Sequence, residues 1–243
     1  MGCDMPVTLI PFAWRRLSRD GVKVIALSAM VSAYVAEAFA ARGTTAYNVL
    51  TAFGQISFPL FCVLFAQGFP YVRDRWFHVA LLAFSAFLSE FAFDIAVSHV
   101  ELVPELDRQN VMFTWLFIFI MLWLIEIVQE KVTDKRLSVL LRAGLVFLFT
   151  ALMIVCQCDY GEVAALCTIW AYMWTSFSVD PLVSCVCVAF VVAMIYNNYW
   201  SLLAIAVFAF YNPKVPGNYI RGAFYVAYPV CLTCLSVIRL IIS

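Results

Sequence analysis

Long apolar runs recur along the chain, most of them near the ~20 residues that a helix needs to cross a hydrocarbon core about 30 Å thick. They cover residues 22–41, 46–69, 79–98, 111–128, 138–157, 161–178, 182–196, 200–211 and 222–242. Helix breakers and charged groups separate them: Arg42-Gly43-Thr44, Pro70 to Arg75, Glu101 to Asn110 with Pro104 inside, and Glu130 to Arg136. The later connections are shorter: Cys158 to Gly161, Val179-Asp180-Pro181, Asn197-Asn198-Tyr199, and Asn212 to Asn218. The pattern predicts an all-α fold, a polytopic transmembrane helix bundle of about eight to nine helices. The eighth run is too short to cross alone if perpendicular, so it begins earlier, breaks, or is partly buried in protein. Neither a repeat nor a linker divides the chain. Residues 1–243 read as a single membrane domain, with 1–20 a short cytoplasmic N-terminal segment.

Within the runs, Gly54-Gln55-Ile56-Ser57 offers small residues for close helix contact. Phe58-Pro59 predicts a kink or local break, and Tyr225, Tyr228 and Pro229 predict the same in the last helix. Composition agrees with a membrane chain: 65% of residues are hydrophobic and only 12% charged, too few to coat a water-soluble surface. The formal net charge is zero, which gives no basis for a nucleic-acid partner. The partner this composition implies is the lipid bilayer. Most of the nine cysteines lie in apolar runs, where a thiol behaves as a small hydrophobe. Cys156-x-Cys158 and Cys231-x-x-Cys234 lack a second pair with histidine support, so no metal site is expected. The first run has no clear small-residue cleavage site and reads as a retained helix.

Lysine and arginine are unevenly shared between the two sides. Arg15, Arg16, Arg19, Lys23, Arg73, Arg75, Lys131, Lys135, Arg136, Arg142, Lys214 and Arg221 fall on one side in a nine-helix count, against Arg42, Arg108 and Arg239 on the other. The positive-inside rule then predicts a cytoplasmic N-terminus and an outer C-terminus.

Ionisable groups inside spans are costly and mark candidate sites. Glu37, Glu90, Asp94, Gln109, Asn110, Asp159 and Glu162 all fall in the predicted outer half. Glu90 and Asp94 are four residues apart, hence on one helical face, and they are expected to face the bundle interior. Glu37 and Glu162 read as helix-end carboxylates reaching interfacial water. Glu126, Arg142 and Arg239 read as snorkelling side chains. His78 and His99 stand at predicted helix ends on opposite sides, so neither suggests a general acid or base at mid-membrane depth.

Several segments together carry a resemblance. They are Gly54 to Phe61, Gln67-Gly68-Phe69, Tyr71-Val72-Arg73, Ser89 to Asp94, Gln109 to Thr114, Asp159-Tyr160-Gly161, Tyr211-Asn212 and Tyr228-Pro229. In this order and spacing, from about Leu17 to the end, the chain resembles the TraX family of membrane proteins. The resemblance implies a membrane-embedded acetyl- or acyltransferase acting on an amine, which in the family is the N-terminus of a pilin subunit. It implies acetyl-CoA as the donor, a pilin-like or other small protein acceptor, and a bacterial inner or plasma membrane. By the same resemblance the catalytic residues are Glu90 and Asp94, with Tyr34, Gln109, Asn110, Asp159 and Cys231 binding substrate.

The chain departs from the family pattern at its titratable positions. Ala33-Tyr34 stands where the pattern has Asp-His, and Arg108 and Cys231 stand where it has histidines. Gln55 replaces an arginine and Gln67 a glutamate. Two alternatives therefore accompany the transferase reading. One is a non-catalytic membrane scaffold or partner-binding relative. The other is a small-solute transporter, for which no matched pair of broken helices is visible.

Overall fold

The computed structural model describes residues 14–98, 109–215 and 223–242. Arg108, His99, Pro104 and Arg221 lie outside the described residues. Among the described residues ten α-helices follow one another: α1 Arg19–Phe39, α2 Thr45–Gly54, α3 Ser57–Gly68, α4 Arg75–Phe93, α5 Val111–Lys131, α6 Lys135–Val155, α7 Gly161–Ser176, α8 Pro181–Ile195, α9 Leu203–Ala209 and α10 Ala223–Ile242. A π-helical turn, Asp94–Ser98, continues α4. Short 3-10 turns follow α3 and precede α9.

The polar residues in the breaks start these helices. Ser18, Thr44, Asp74, Asn110, Asp134 and Asp180 each accept a hydrogen bond from a backbone N–H in the first turn that follows. Such caps satisfy amides that have no partner inside the helix. The run 46–69 breaks at Gln55-Ile56, so that Pro59 falls in the first turn of α3, where its missing N–H costs nothing. In α10 the helix instead runs straight through Pro229.

Six segments among the described residues are long and apolar enough to cross a membrane: Arg19–Phe39, Thr45–Tyr71, Arg75–Ala96, Val111–Lys131, Lys135–Val155 and Tyr225–Ile242. The remaining helices, α7 to α9, are shorter. At 1.5 Å per residue α8 is ~22 Å long, short of the ~30 Å core. The chain is an integral membrane protein by these helices, and its fold is an all-α helical bundle.

Two compact units divide the chain. The first comprises Met1–Pro70 and Trp170–Phe224, the second Tyr71–Ile169 and Tyr225–Ser243. In the first unit α1 lies against α2 and α3, and α3 against α8. A Cβ added at Gly54 would stand 2.5 Å from the Ala33 Cβ, so these small residues set the approach of α1 and α2. The short helices are lined by fully buried side chains such as Cys185, Val192, Ala204 and Phe208. One face of each short element is thus packed against protein, while Phe190, Met194 and Leu203 stay exposed.

In the second unit α5 packs on both α4 and α6. The α10 helix runs parallel to α4. Ser85 donates to the Tyr225 carbonyl, Ser236 to that of Ala92 and Arg239 to that of Ala96, each at 2.7 Å. Most of α6 is exposed, Phe147 and Val155 each to 78%.

Candidate functional site

The second unit gathers Glu90, Asp94, Gln109, Asn110 and Asp159 at one end of α4 and α5. Asn110 organises the group. Its side chain is fully buried, and its Oδ1 caps α5 by accepting the Met112 N–H at 2.9 Å. Both amide protons are also used, one on the Ala86 carbonyl at 2.9 Å and one on Glu90 Oε2 in a short bond. The Asn110 backbone N–H approaches the same oxygen at 3.4 Å. Glu90 is thus held through one oxygen, while its Oε1 is buried and has no hydrogen-bond partner among the described residues. A carboxylate fixed on one side and unengaged on the other can take a proton without reorienting.

Asp94, one turn further along α4, is 3% exposed and begins the π-helical turn. Such turns occur frequently at functional sites because they re-aim side chains within a helix. Asp159 reaches the cluster from the α6–α7 connection. Its N–H donates to the Gln109 carbonyl at 3.1 Å, the Gln109 N–H donates to the Gln157 carbonyl at 3.1 Å, and Thr114 Oγ1 donates to the Asp159 carbonyl at 2.7 Å. This small parallel bridge forces a tight turn, with Gln157 at φ 50° and Tyr160 at φ 57°. Left-handed backbone at a residue with a Cβ costs roughly 1 kcal/mol each time. The strain sits where backbone pairing fixes a buried carboxylate.

The site is rich in acids and poor in nucleophiles. Cys158, beside Asp159, is buried, and its thiol is pushed up to about 12 by burial first and then by Cys156, Asp159 and Glu90. No group of three His, Cys, Asp or Glu side chains among the described residues is placed to hold a metal ion. Cys231 lies half-buried on α10 in the second unit. Tyr34 is buried on α1 in the first unit, beside the Ala33 that closes on Gly54. Of the helix-end carboxylates, Glu162 is exposed. Glu37 accepts from Tyr47 Oη at 2.6 Å and from Arg42 at 3.3 Å.

Two further polar clusters were not apparent in the sequence. At the opposite end of α4, Tyr225 Oη stands 2.5 Å from His78 Nε2. Nearby, Arg75 pairs with Glu126 at 2.8 Å while lying over the Phe119 ring. Glu126 is therefore an ion-pair partner rather than a snorkelling side chain. In the first unit, Arg15 forms a bidentate pair with Asp180, Arg19 donates to the Leu64 carbonyl, and Tyr211 Oη donates to Gln67 Oε1. Two motifs of the resemblance, Gln67-Gly68 and Tyr211-Asn212, meet here, which was the one available signal. His78 and Tyr225 are 147 positions apart, and nothing local links them.

The family model described as TraX protein matches residues 18–239, nearly the whole chain. No curated protein and no solved structure matches it.

Proposed function

The chain belongs to the TraX protein family, and on that premise we propose that it is a membrane-embedded acyltransferase that transfers an acetyl group to an amine. The observation that carries this reading is the Glu90 carboxylate, with Oε2 fixed by Asn110 and Oε1 buried and unengaged. Amine acylation needs a proton acceptor in a place that excludes water. With no histidine at positions 34, 108 or 231, that task falls to Glu90. Once the ammonium has lost one proton to water, the neutral amine bonds through its lone pair to the acyl carbon of the thioester and gives a second N–H proton to Oε1. The carbon–sulfur bond breaks, and the departing thiolate takes that proton from Glu90. Asp94 and Asp159 add negative charge that draws a cationic amine to the site, and Gln109 and Asn110 hold the turn and the base. Tyr34 and Cys231 stand where the family pattern has histidines. Acetyl-CoA is the donor on this reading, and a pilin-like or other small protein the acceptor. The membrane is the bacterial inner or plasma membrane, with the N-terminus cytoplasmic.

The test is transfer of labelled acetyl from acetyl-CoA to amine-bearing peptides by the purified, reconstituted chain. Glu90→Gln should lower the rate about 10²- to 10⁴-fold, the usual contribution of a general base, with the protein still folded. The second reading, a non-catalytic scaffold, is favoured by the Tyr34 and Cys231 replacements. It prevails if the wild-type chain gives no transfer to any peptide acceptor.

A further inference from the structure

Arg19 opens α1, directly after the Ser18 cap. A cation in the first turn meets the positive end of the helix dipole, where anions are favoured. The side chain is nonetheless held in a built position. Its Nη2 donates to the Leu64 carbonyl at 3.1 Å. Gly68 makes room for it, because a Cβ there would stand 2.5 Å from Nη2. The Nε atom is buried and makes no hydrogen bond among the described residues. No carboxylate among the described residues forms an ion pair with Arg19; the acids at this end serve other cations, Asp180 pairing with Arg15 and Asp20 with Lys23. An arginine cannot shed its charge, and a charge partly removed from water is costly without a counter-charge.

Gln67, the residue before Gly68, accepts from Tyr211 Oη at 3.2 Å. Arg16 is exposed three positions before Arg19. A planar guanidinium matches the oxygens of a phosphate, which it can engage in pairs.

We infer that Arg19, cradled by Gly68 and the Leu64 carbonyl, binds a phosphate-bearing anion at the N-terminal end of α1. The phosphate site stands on this geometry. Its assignment to the phosphate end of the coenzyme A donor rests on the acyltransferase reading. The alternative source of the same chemistry is a phospholipid headgroup.

Full-length wild type and Arg19→Gln are titrated with coenzyme A and with inorganic phosphate in neutral detergent. Both proteins are also placed in phosphatidylcholine nanodiscs, with and without phosphatidylglycerol, and the retained lipid is counted. Coenzyme A should bind the wild type about tenfold or more tightly than Arg19→Gln, the loss expected for a charge-assisted hydrogen bond, with partial recovery in Arg19→Lys. Gly68→Ala keeps the charge but fills the cradle, so it should weaken binding too, and it gives the answer if Arg19→Gln does not fold. Loss of phosphatidylglycerol alone would keep the phosphate site and overturn its assignment to the donor. Unchanged binding of all three anions in the Arg19 and Gly68 variants would overturn the inference. Arg19-dependent coenzyme A binding without acetyl transfer would uphold it while removing the acyltransferase reading.

Discussion

Ser85 repairs the break that Pro229 makes in α10. Proline has no N–H, so the carbonyl four residues earlier, Tyr225, loses its helical donor, and Ser85 Oγ on α4 supplies one at 2.7 Å. Helix continuity through Pro229 therefore depends on a neighbouring helix. Ser85→Ala should destabilise the protein by about 1 kcal/mol, within the range of buried hydrogen bonds in membranes. In a Pro229→Ala background the new alanine supplies an N–H that bonds to the Tyr225 carbonyl again, so the same change should cost almost nothing. Thermal unfolding of the four proteins in detergent measures the coupling. Equal losses in both backgrounds would remove this account of the helix.

Cys158 should make the second unit sensitive to alkali. Its thiol is raised from 9.0 to about 12, chiefly by burial. The folded state keeps that proton where the unfolded state releases it. Its contribution to stability is therefore full below pH ~9 and declines as pH rises toward 12, by up to ~1.4 kcal/mol per pH unit. Cys158→Ala should flatten the alkaline fall in unfolding temperature by that share. Folded protein at pH 8 should leave Cys158 unalkylated, and detergent-denatured protein should not. Rapid native labelling of Cys158 would contradict the burial.

Local features were readable in the sequence, and distant partnerships were not. The apolar runs gave each helix to within a few residues because hydrocarbon demands length and polar caps mark the ends. The Gly54–Pro59 break was readable for the same reason, since proline and small residues act locally. Glu90 and Asp94 could be placed on one face by their spacing. That Asn110 would bind Glu90 could not be foreseen, because α5 is apolar nearly all round and its periodicity picks no partner. His78 reads in the sequence as a helix-end residue, and its contact with Tyr225 arises only once α10 lies along α4. The Gln157 and Tyr160 conformations also escape the sequence. Neither residue type advertises a left-handed backbone, which the pairing with Gln109 imposes.

The helix directions fix two positions on opposite sides of the membrane. In the second unit α5 runs against α4, with Asn110 beside Glu90 and Glu126 beside Arg75, while α10 runs with α4. The α5–α6 connection and the end of α10 must then emerge on opposite faces. By the positive-inside rule, the lysines and arginines at 131, 135 and 136 predict a cytoplasmic position for the first of these. In sealed cells, Thr133→Cys should be labelled by an impermeant maleimide only after lysis, and Ile241→Cys without it. Labelling of both from the same side would contradict the helix directions, and a simple reversal would contradict the charge rule alone.

The Arg15–Asp180 pair joins the segment before α1 to the start of α8, across 165 positions. Its two bonds measure 2.9 and 2.6 Å, and the side chains are 0% and 1% exposed. Asp180 also caps α8 through the Leu182 N–H at 3.0 Å. The same segment is strapped from its other side. The Asn212 amide donates to the Arg15 carbonyl at 3.1 Å, and Leu17 pairs with the 210–212 backbone. Breaking such a pair on one side strands a charge, at about 3–5 kcal/mol, whereas replacing both partners with neutral groups is often nearly free. Arg15→Met should therefore be severely destabilising, because the Asp180 carboxylate stays buried. Asp180→Asn keeps the cap, since asparagine caps as well as aspartate, yet leaves the guanidinium without its counter-charge. The double variant Arg15→Met/Asp180→Asn should be more stable than either single one, and unfolding of all four proteins in detergent decides this. A double variant whose loss equals the sum of the singles would mean that the two charges are not coupled and that the strap rests on its backbone pairing alone.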